Sequence, residues 1–592
     1  MTDELRAGVV GNCGIAAIIH HRGQVSWCCM PRPDGDPVFH ALLGEVEDRG
    51  GWDIALPDVA QSEQFYLDNT AILITRLWDS AGNAIEICDF APRFPARGRM
   101  YRPAMLVRRV RRLAGRPRIR VRLRPSFDAG ASAPQLTYGN HHVRYVGANQ
   151  TLRLTADVPV DYVLQETPFV LDGEANFVLG PDEPLPDSVA TKAAEFESRT
   201  AEHWRLWCRR LALPLEWQEA VIRAAITLKL CFYEPTGAIV AALTTSVPEA
   251  PNTQRNWDYR FCWLRDAFFV VRALNSLSDM EALESYLRFI DNVVAEFAGG
   301  HVQPVFGIGL ETALTERIAE ALPGFRGMGP VRIGNQAHEH IQHDVYGNIV
   351  LAAAQAFFDQ RLLRPGTLSD FHTLEKIGER AWAVYNTPDA GMWELRSRAH
   401  VHTSSALMCW AACDRLARIA ARFDAPSEGQ WQQRADTIRA EIEERAWNES
   451  LNSYTDVFEG EGVEAGLLLM GEVGFHAPKD PRFLGTLAQI EKQLLRHGHV
   501  FRYATADDFG EPDNAFTICT FWYIDALIRV GRRDEARERF EALLDNRNPV
   551  GLLSEDIDVR DGALWGNFPQ TYSMVGLINA AVRLSRGWDA VV

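Results

Sequence analysis

The chain has 592 residues, 47% of them hydrophobic and 23% charged, the balance of a globular protein with an ample core and room for two or three domains. Its 61 basic and 78 acidic side chains leave a net charge of −17, which argues against a nucleic-acid-binding surface and against an anionic membrane as partner. No run reaches the roughly 18 apolar residues of a membrane span. The first six residues lack a basic and then apolar leader, and the ten cysteines are scattered without Cys-x-x-Cys metal spacing. A cytoplasmic protein with reduced, buried thiols, no metal and no other cofactor is therefore expected.

Residues 1–180 read as β-structure. Short alternating apolar runs recur at 15–20, 71–78, 84–90, 105–110, 118–123 and 151–156, separated by turn signals such as Arg22-Gly23 and Ala81-Gly82-Asn83. Many short strands punctuated in this way predict a β-sandwich. Residues 181–213 form a linker. It starts with the acidic, proline-bearing stretch at Pro181 to Pro186 and continues with a helical period that carries Trp204 and Trp207 three apart. That spacing is read as packing between domains.

From 214 to 592 the period is helical. Candidate helices fall at 216–232, 264–278, 280–298, 338–360, 370–384, 402–422, 428–446, 464–473, 480–496, 514–531, 533–545 and 571–586. Twelve helices without a fixed-length repeat fit six hairpins closed into an (α/α)6 barrel better than a solenoid. The predicted class is multidomain β + α, an N-terminal β-sandwich followed by helices, whose closure into a barrel leans on the family resemblance given below.

Chemistry concentrates at Arg255 to Ala267. Four aromatics, three arginines and two aspartates share those thirteen residues before the apolar run Phe268 to Leu277. Flat rings cover the C–H faces of a pyranose while Arg and Asp hydrogen-bond its hydroxyls, so the stretch suits a sugar site. A buried Arg–Asp pair tying a loop to a helix is the competing reading.

Glycoside hydrolysis needs two carboxyl groups. Glu394 follows Trp393 in the loop before the helix at 402–422. A carboxyl desolvated by an indole rises in pKa toward a working acid, and a surface pair with Arg396 or Arg398 is the alternative. Glu555 sits in the cluster Ser554-Glu555-Asp556 delivered by Leu552-Leu553, where it could equally be an ordinary loop charge. The histidines at 338, 340 and 343 have the wrong spacing for His-Glu-x-x-His and imply no metal.

These blocks together resemble family 15 glycoside hydrolases, the glucoamylase and bacterial trehalase group. The resemblance rests on Trp263-Leu264-Arg265-Asp266, Trp393-Glu394-Leu395-Arg396, Phe501-Arg502-Tyr503, Gly551 to Asp556 and Asn567-Phe568-Pro569-Gln570, in the family's order. The block from Gly11 to Phe39 is similar to the family's trehalase-like N-terminal domain, with Ser26-Trp27 where Asp-Trp is usual. The resemblance implies that Arg265 and Asp266 hold a terminal glucose. Tyr259, Trp263 and Trp393 line its subsite, and Arg502 contacts substrate near the cleaved bond. It makes Glu394 the general acid and Glu555 the general base of an inverting enzyme, with carboxyls roughly 6.5–9.5 Å apart. The expected activity is exo-hydrolysis of α-glucans or maltooligosaccharides, with α,α-trehalose as the alternative substrate. A catalytically silent sugar-binding protein is a further alternative, disfavoured because both carboxylates are present. The aglycone side is assigned to loops at 301–335 and 396–402.

Overall fold

The alternation in Arg118–Arg124, where Ile119, Val121 and Leu123 are buried between more exposed arginines, shows how the first 181 residues fold. The strand belongs to a seven-stranded antiparallel sheet that runs, in spatial order, Ala7–Gly11, Ala16–His20, Val25–Met30, Gly51–Ala55, Arg118–Arg124 and Phe169–Val170, with Asp36–Phe39 added against Val25–Met30. A second, eight-stranded sheet runs Gln135–Tyr138, His142–Val146, Thr151–Ala156, Glu174–Pro181, Leu106–Ala114, Ala84–Phe90, Leu73–Asp79 and Val59–Tyr66. Ile119 and Val121 of the first sheet share one core with Ile85, Ile87 and Val110 of the second. This is a β-sandwich, in a computed structural model that describes residues 3–296 and 299–590. The expected helix at 280–298 is Met280–Ala295, and positions 297 and 298 lie outside the described residues.

The linker helix, Val189–Cys208, covers the outer face of the second sheet. Val189, Ala193 and Phe196 pack on Ile72, Phe90, Val107 and Val178. Strand residues Leu106 to Val110 are therefore buried on both faces, and the two arginines among them are paired, Arg108 with Asp89 and Arg109 with Glu174 and Glu197. Trp204 and Trp207 meet edge to face at 5.7 Å and join a core shared by both domains, which is the interdomain packing their spacing predicts.

Among the described residues twelve helical segments build the second domain, short 3-10 turns in its loops aside: α1 Gln218–Leu230, α2 Leu264–Ser276, α3 Met280–Ala295, α4 Asp344–Ala354, α5 Leu368–Val384, α6 Thr403–Arg422, α7 Glu428–Arg445, α8 (a 3-10 turn Ala465–Leu468 continued by Leu469–Glu472), α9 Pro481–Leu494, α10 Thr517–Val530, α11 Arg533–Leu544 and α12 Thr571–Leu584. The even-numbered helices pack in a closed inner ring, α2 on α4, α4 on α6, α6 on α8, α8 on α10, α10 on α12 and α12 on α2, and the odd-numbered helices stand outside. This is the (α/α)6 barrel. Outer α7 buries only Trp431, Ala435, Ile438 and Ile442, the narrow stripe of a one-sided helix, whereas inner α12 is buried almost all round. Ring closure requires close approach. A Cβ on Gly347 of α4 would stand 2.3 Å from the Met408 carbonyl of α6, and one on Gly576 of α12 would collide with Phe521 of α10. Among the described residues no helix is long and apolar enough to cross a membrane.

Candidate active site

The inner helices start at one end of the ring, so their N-termini and the loops before them surround one open cavity. Helix N-termini favour negative charge, and Asp266 and Asp344 occupy the first turns of α2 and α4.

The stretch from Arg255 to Asp266 divides between two tasks. Asp258 and Arg260 form a fully buried bidentate pair turned away from the cavity. Arg260 also donates to the Gly35 carbonyl at 2.8 Å and to the Cys29 sulfur at 3.3 Å, both in the β-domain, and its guanidinium lies 5.9 Å from the Trp27 ring. These two residues therefore take the role of the competing reading, a structural tether, here between domains. Tyr259, Trp263, Arg265 and Asp266 face the cavity.

At the deep end Arg265 Nη1 donates to Gln342 Oε1 at 3.1 Å and to Asp344 Oδ2 at 3.3 Å. Asp266 Oδ1 is buried without a hydrogen-bond partner among the described residues. Burial pushes the Asp266 carboxyl up to about 7, against the pull of Arg265. A cation and an unsatisfied carboxyl oxygen beside the aromatic ring of Trp263 are a donor and an acceptor for a sugar's hydroxyls.

Glu394 lies next outward. Its Oε1 accepts from the Trp263 indole N–H at 2.6 Å and lies 3.5 Å from Arg265 Nη2. The indole that touches this carboxylate by hydrogen bond is thus Trp263. The Trp393 indole, expected from its neighbouring position to do so, donates instead to buried Glu464 Oε2 at 2.5 Å. Arg396 pairs with Glu316 at 3.1 Å and Arg398 Nη1 donates to the Ala506 carbonyl. Glu394 itself has φ +61°, a left-handed backbone unusual for a side-chain-bearing residue and a mark of local strain.

Glu555 stands one hydrogen bond behind the wall. Tyr259 Oη donates to its Oε1 at 2.8 Å and the Asn567 backbone N–H to its Oε2 at 3.2 Å. Burial, reinforced by the negative charge of Glu249, pushes its carboxyl up to about 8. Arg502 lines the cavity and is paired with Glu249, which also accepts from the Trp257 indole at 2.9 Å.

The cavity thus gathers Tyr259, Trp263, Arg265, Asp266, Trp393, Glu394 and Arg502, with Glu555 joined to it through Tyr259. Of the two loops assigned to the outer side, the first contributes Asn335 and the second Arg396. Asp507, Asp508 and Phe509, and the carboxylate of Glu249, stand outside the residues that the sequence singles out. Trp257 and Arg255 lie inside the stretch singled out by composition. Glu249, in a Pro-Glu-Ala loop, carries no local signal at all.

Comparison with known proteins places the chain in a family and a fold. The family model described as glycosyl hydrolases family 15 matches residues 217–582, and a trehalase-like N-terminal model matches residues 4–179. A trehalase of Thermoplasma volcanium is 30% identical, covering 98% of this chain and 93% of its own length. A trehalase of Mycobacterium tuberculosis is 33% identical, covering 96% and 88%. A bacterial glucoamylase solved in complex with acarbose shares the fold at a TM-score of 0.70 and 14% identity, over 97% of this chain and 93% of that one.

Proposed function

The chain belongs to glycosyl hydrolase family 15 and is a glycoside hydrolase, and from that premise we propose that it is an inverting trehalase, splitting α,α-trehalose into two glucose molecules. The observation that carries the substrate is the near full-length likeness to proteins named trehalase, N-terminal domain included. Sequence reasoning ranks maltooligosaccharides ahead of trehalose although both end in the same α-glucosyl unit, and the relatives favour the second reading. The likeness to glucoamylase concerns the fold.

In this reading Arg265 and Asp266 hold the hydroxyls of one glucose, with Tyr259, Trp263 and Trp393 around its ring. Glu394 protonates the bridging oxygen as its bond to C1 breaks. Water adds to C1 from the opposite face and gives its proton to Glu555, which inverts that centre. Arg502 faces the bond being cleaved. The ten cysteines, all unpaired and buried, support a reducing, cytoplasmic setting.

The test is glucose release from trehalose, maltose, isomaltose and maltopentaose, with anomers followed by NMR. Trehalose yielding one α- and one β-glucose supports the proposal. Release from maltopentaose and not from trehalose sinks it in favour of a glucoamylase-type activity.

A further inference from the structure

The cavity is graded in depth. Asp266 is buried and Arg265 nearly so at its floor, Glu394 stands above them, and Ser397 and Asp508 are exposed at its rim. If Glu394 protonates the bridging oxygen, the leaving sugar occupies the rim half.

Two loops meet across that rim. Asp508 Oδ2 accepts from the backbone N–H of Arg396 at 2.7 Å and of Ser397 at 3.3 Å, and Asp508 Oδ1 accepts from the Ser397 hydroxyl. Arg398 Nη1 adds a bond to the Ala506 carbonyl at 3.1 Å. The second loop is anchored from below. Arg255 clamps Asp507 through both nitrogens at 2.7 and 2.6 Å and reaches the Gly510 carbonyl at 2.8 Å. Phe509 sets its ring against Trp257 at 5.1 Å, and the Arg396 guanidinium lies 4.5 Å from the same indole. One side chain thus holds three donors from the segment that leads directly out of Glu394, and its own loop is fixed by a charged clamp.

We propose that this clasp, centred on Asp508 and Ser397, determines substrate length. It spans the mouth on the leaving-group side, so a disaccharide is enclosed while a longer glucan has no exit. The charged and aromatic wall that it fixes, Arg255, Arg396, Asp507 and Trp257, supplies donors, acceptors and a ring face to a second sugar. The inference rests on the trehalase reading.

The experiment compares kcat/KM for trehalose, maltose and maltopentaose in the wild type, Asp508→Ala and Ser397→Ala. Both residues are exposed, so the substitutions leave the fold intact, checked by an unchanged Tm. The wild type is expected to favour disaccharide over pentasaccharide by at least about 100-fold. Asp508→Ala lowers that ratio by about 10-fold or more, through a raised KM for the disaccharide and newly measurable maltopentaose hydrolysis. Ser397→Ala, which removes one of the three donors, falls between. A wild type that hydrolyses maltopentaose as well as a disaccharide overturns the proposal. So does an Asp508→Ala variant that loses disaccharide activity without gaining on the longer chain. Inactivity of the wild type on trehalose with activity on maltose defeats the substrate reading instead, and the maltose-to-maltopentaose ratio still judges the clasp.

Discussion

The indole N–H of Trp263 donates to Oε1 of Glu394 at 2.6 Å, with Arg265 3.5 Å from the same oxygen. One carboxylate oxygen is therefore held by donors, and Oε2 is the one left to carry an acidic proton. Trp263→Phe keeps a ring in the wall and loses that hold. It is expected to lower kcat by about 10–100-fold with a small change in KM, the cost of a loosened proton donor. Glu394→Gln, which cannot donate an acidic proton, is expected to lose about 1,000-fold or more. Steady-state kinetics on trehalose checks both. Activity near wild type in Glu394→Gln removes Glu394 from the mechanism.

Glu555 has a carboxyl raised to about 8, first by burial and then by the charge of Glu249. A general base acts only when deprotonated, so kcat/KM rises as pH climbs through its pKa. The acid limb is expected well above the ordinary carboxylate range. Glu249→Gln removes the repelling charge and frees Arg502 to act on Glu555, and both effects move the limb to lower pH. A limb that stays in place in Glu249→Gln argues that another group controls it. Azide restoring turnover to Glu555→Ala, and not to Glu249→Ala, distinguishes the two carboxylates as base.

Glu464 tests the support beneath the acid loop. It is buried, accepts from Trp393, and is pushed up to about 8 by burial first and by nearby Asp456 second. In the folded state it holds its proton across a range where the unfolded chain has lost it. Its contribution to stability is therefore complete below about pH 4.5 and is lost as pH rises toward 8. Glu464→Gln retains an acceptor for the indole and cannot ionise. It is expected to leave Tm nearly unchanged at pH 5 and to raise it by about 1–3 °C at pH 8. Equal shifts at both pH values contradict the assignment.

Arg260 joins the domains from a site with no solvent exposure. Arg260→Ala leaves Asp258 buried and unpaired, a loss of about 3–5 kcal/mol. Because Tyr259 sits between the paired residues, activity is expected to fall together with stability. Denaturant unfolding of the full chain checks the first expectation and trehalose hydrolysis the second. Unfolding at the wild-type midpoint would remove the tether.

Periodic elements were legible because burial in this barrel is strongly one-sided or complete, and both patterns survive in a linear sequence. The expected helix at 571–586 is Thr571–Leu584, and that at 428–446 is Glu428–Arg445. The expected helix at 338–360 shortens to Asp344–Ala354, because Gln336–Glu339 is a 3-10 turn and Gln342 is drawn to Arg265. The expected helix at 464–473 is two short turns under the site. In the β-domain, Val59–Tyr66 carries no clear alternation in burial and escaped notice, as an edge strand with polar residues on both faces does.

By itself the sequence determined the two-domain β and α architecture, the helices of the second domain, and the residue types around Trp263-Leu264-Arg265-Asp266, because hydrophobic period and clustered chemistry are local properties; the closed ring was expected only from the family resemblance. Tertiary structure alone decided that Asp258 and Arg260 turn to the β-domain while Tyr259 between them turns to the cavity. It also decided that Trp263 rather than Trp393 holds Glu394, and that Glu249 and Asp508 belong to the site at all. Those outcomes depend on which loops meet at the N-terminal end of the inner ring. Residues 249 and 508 line the same cavity because α10 packs on α12 and α12 on α2, long-range events that leave no mark in the sequence around either of them.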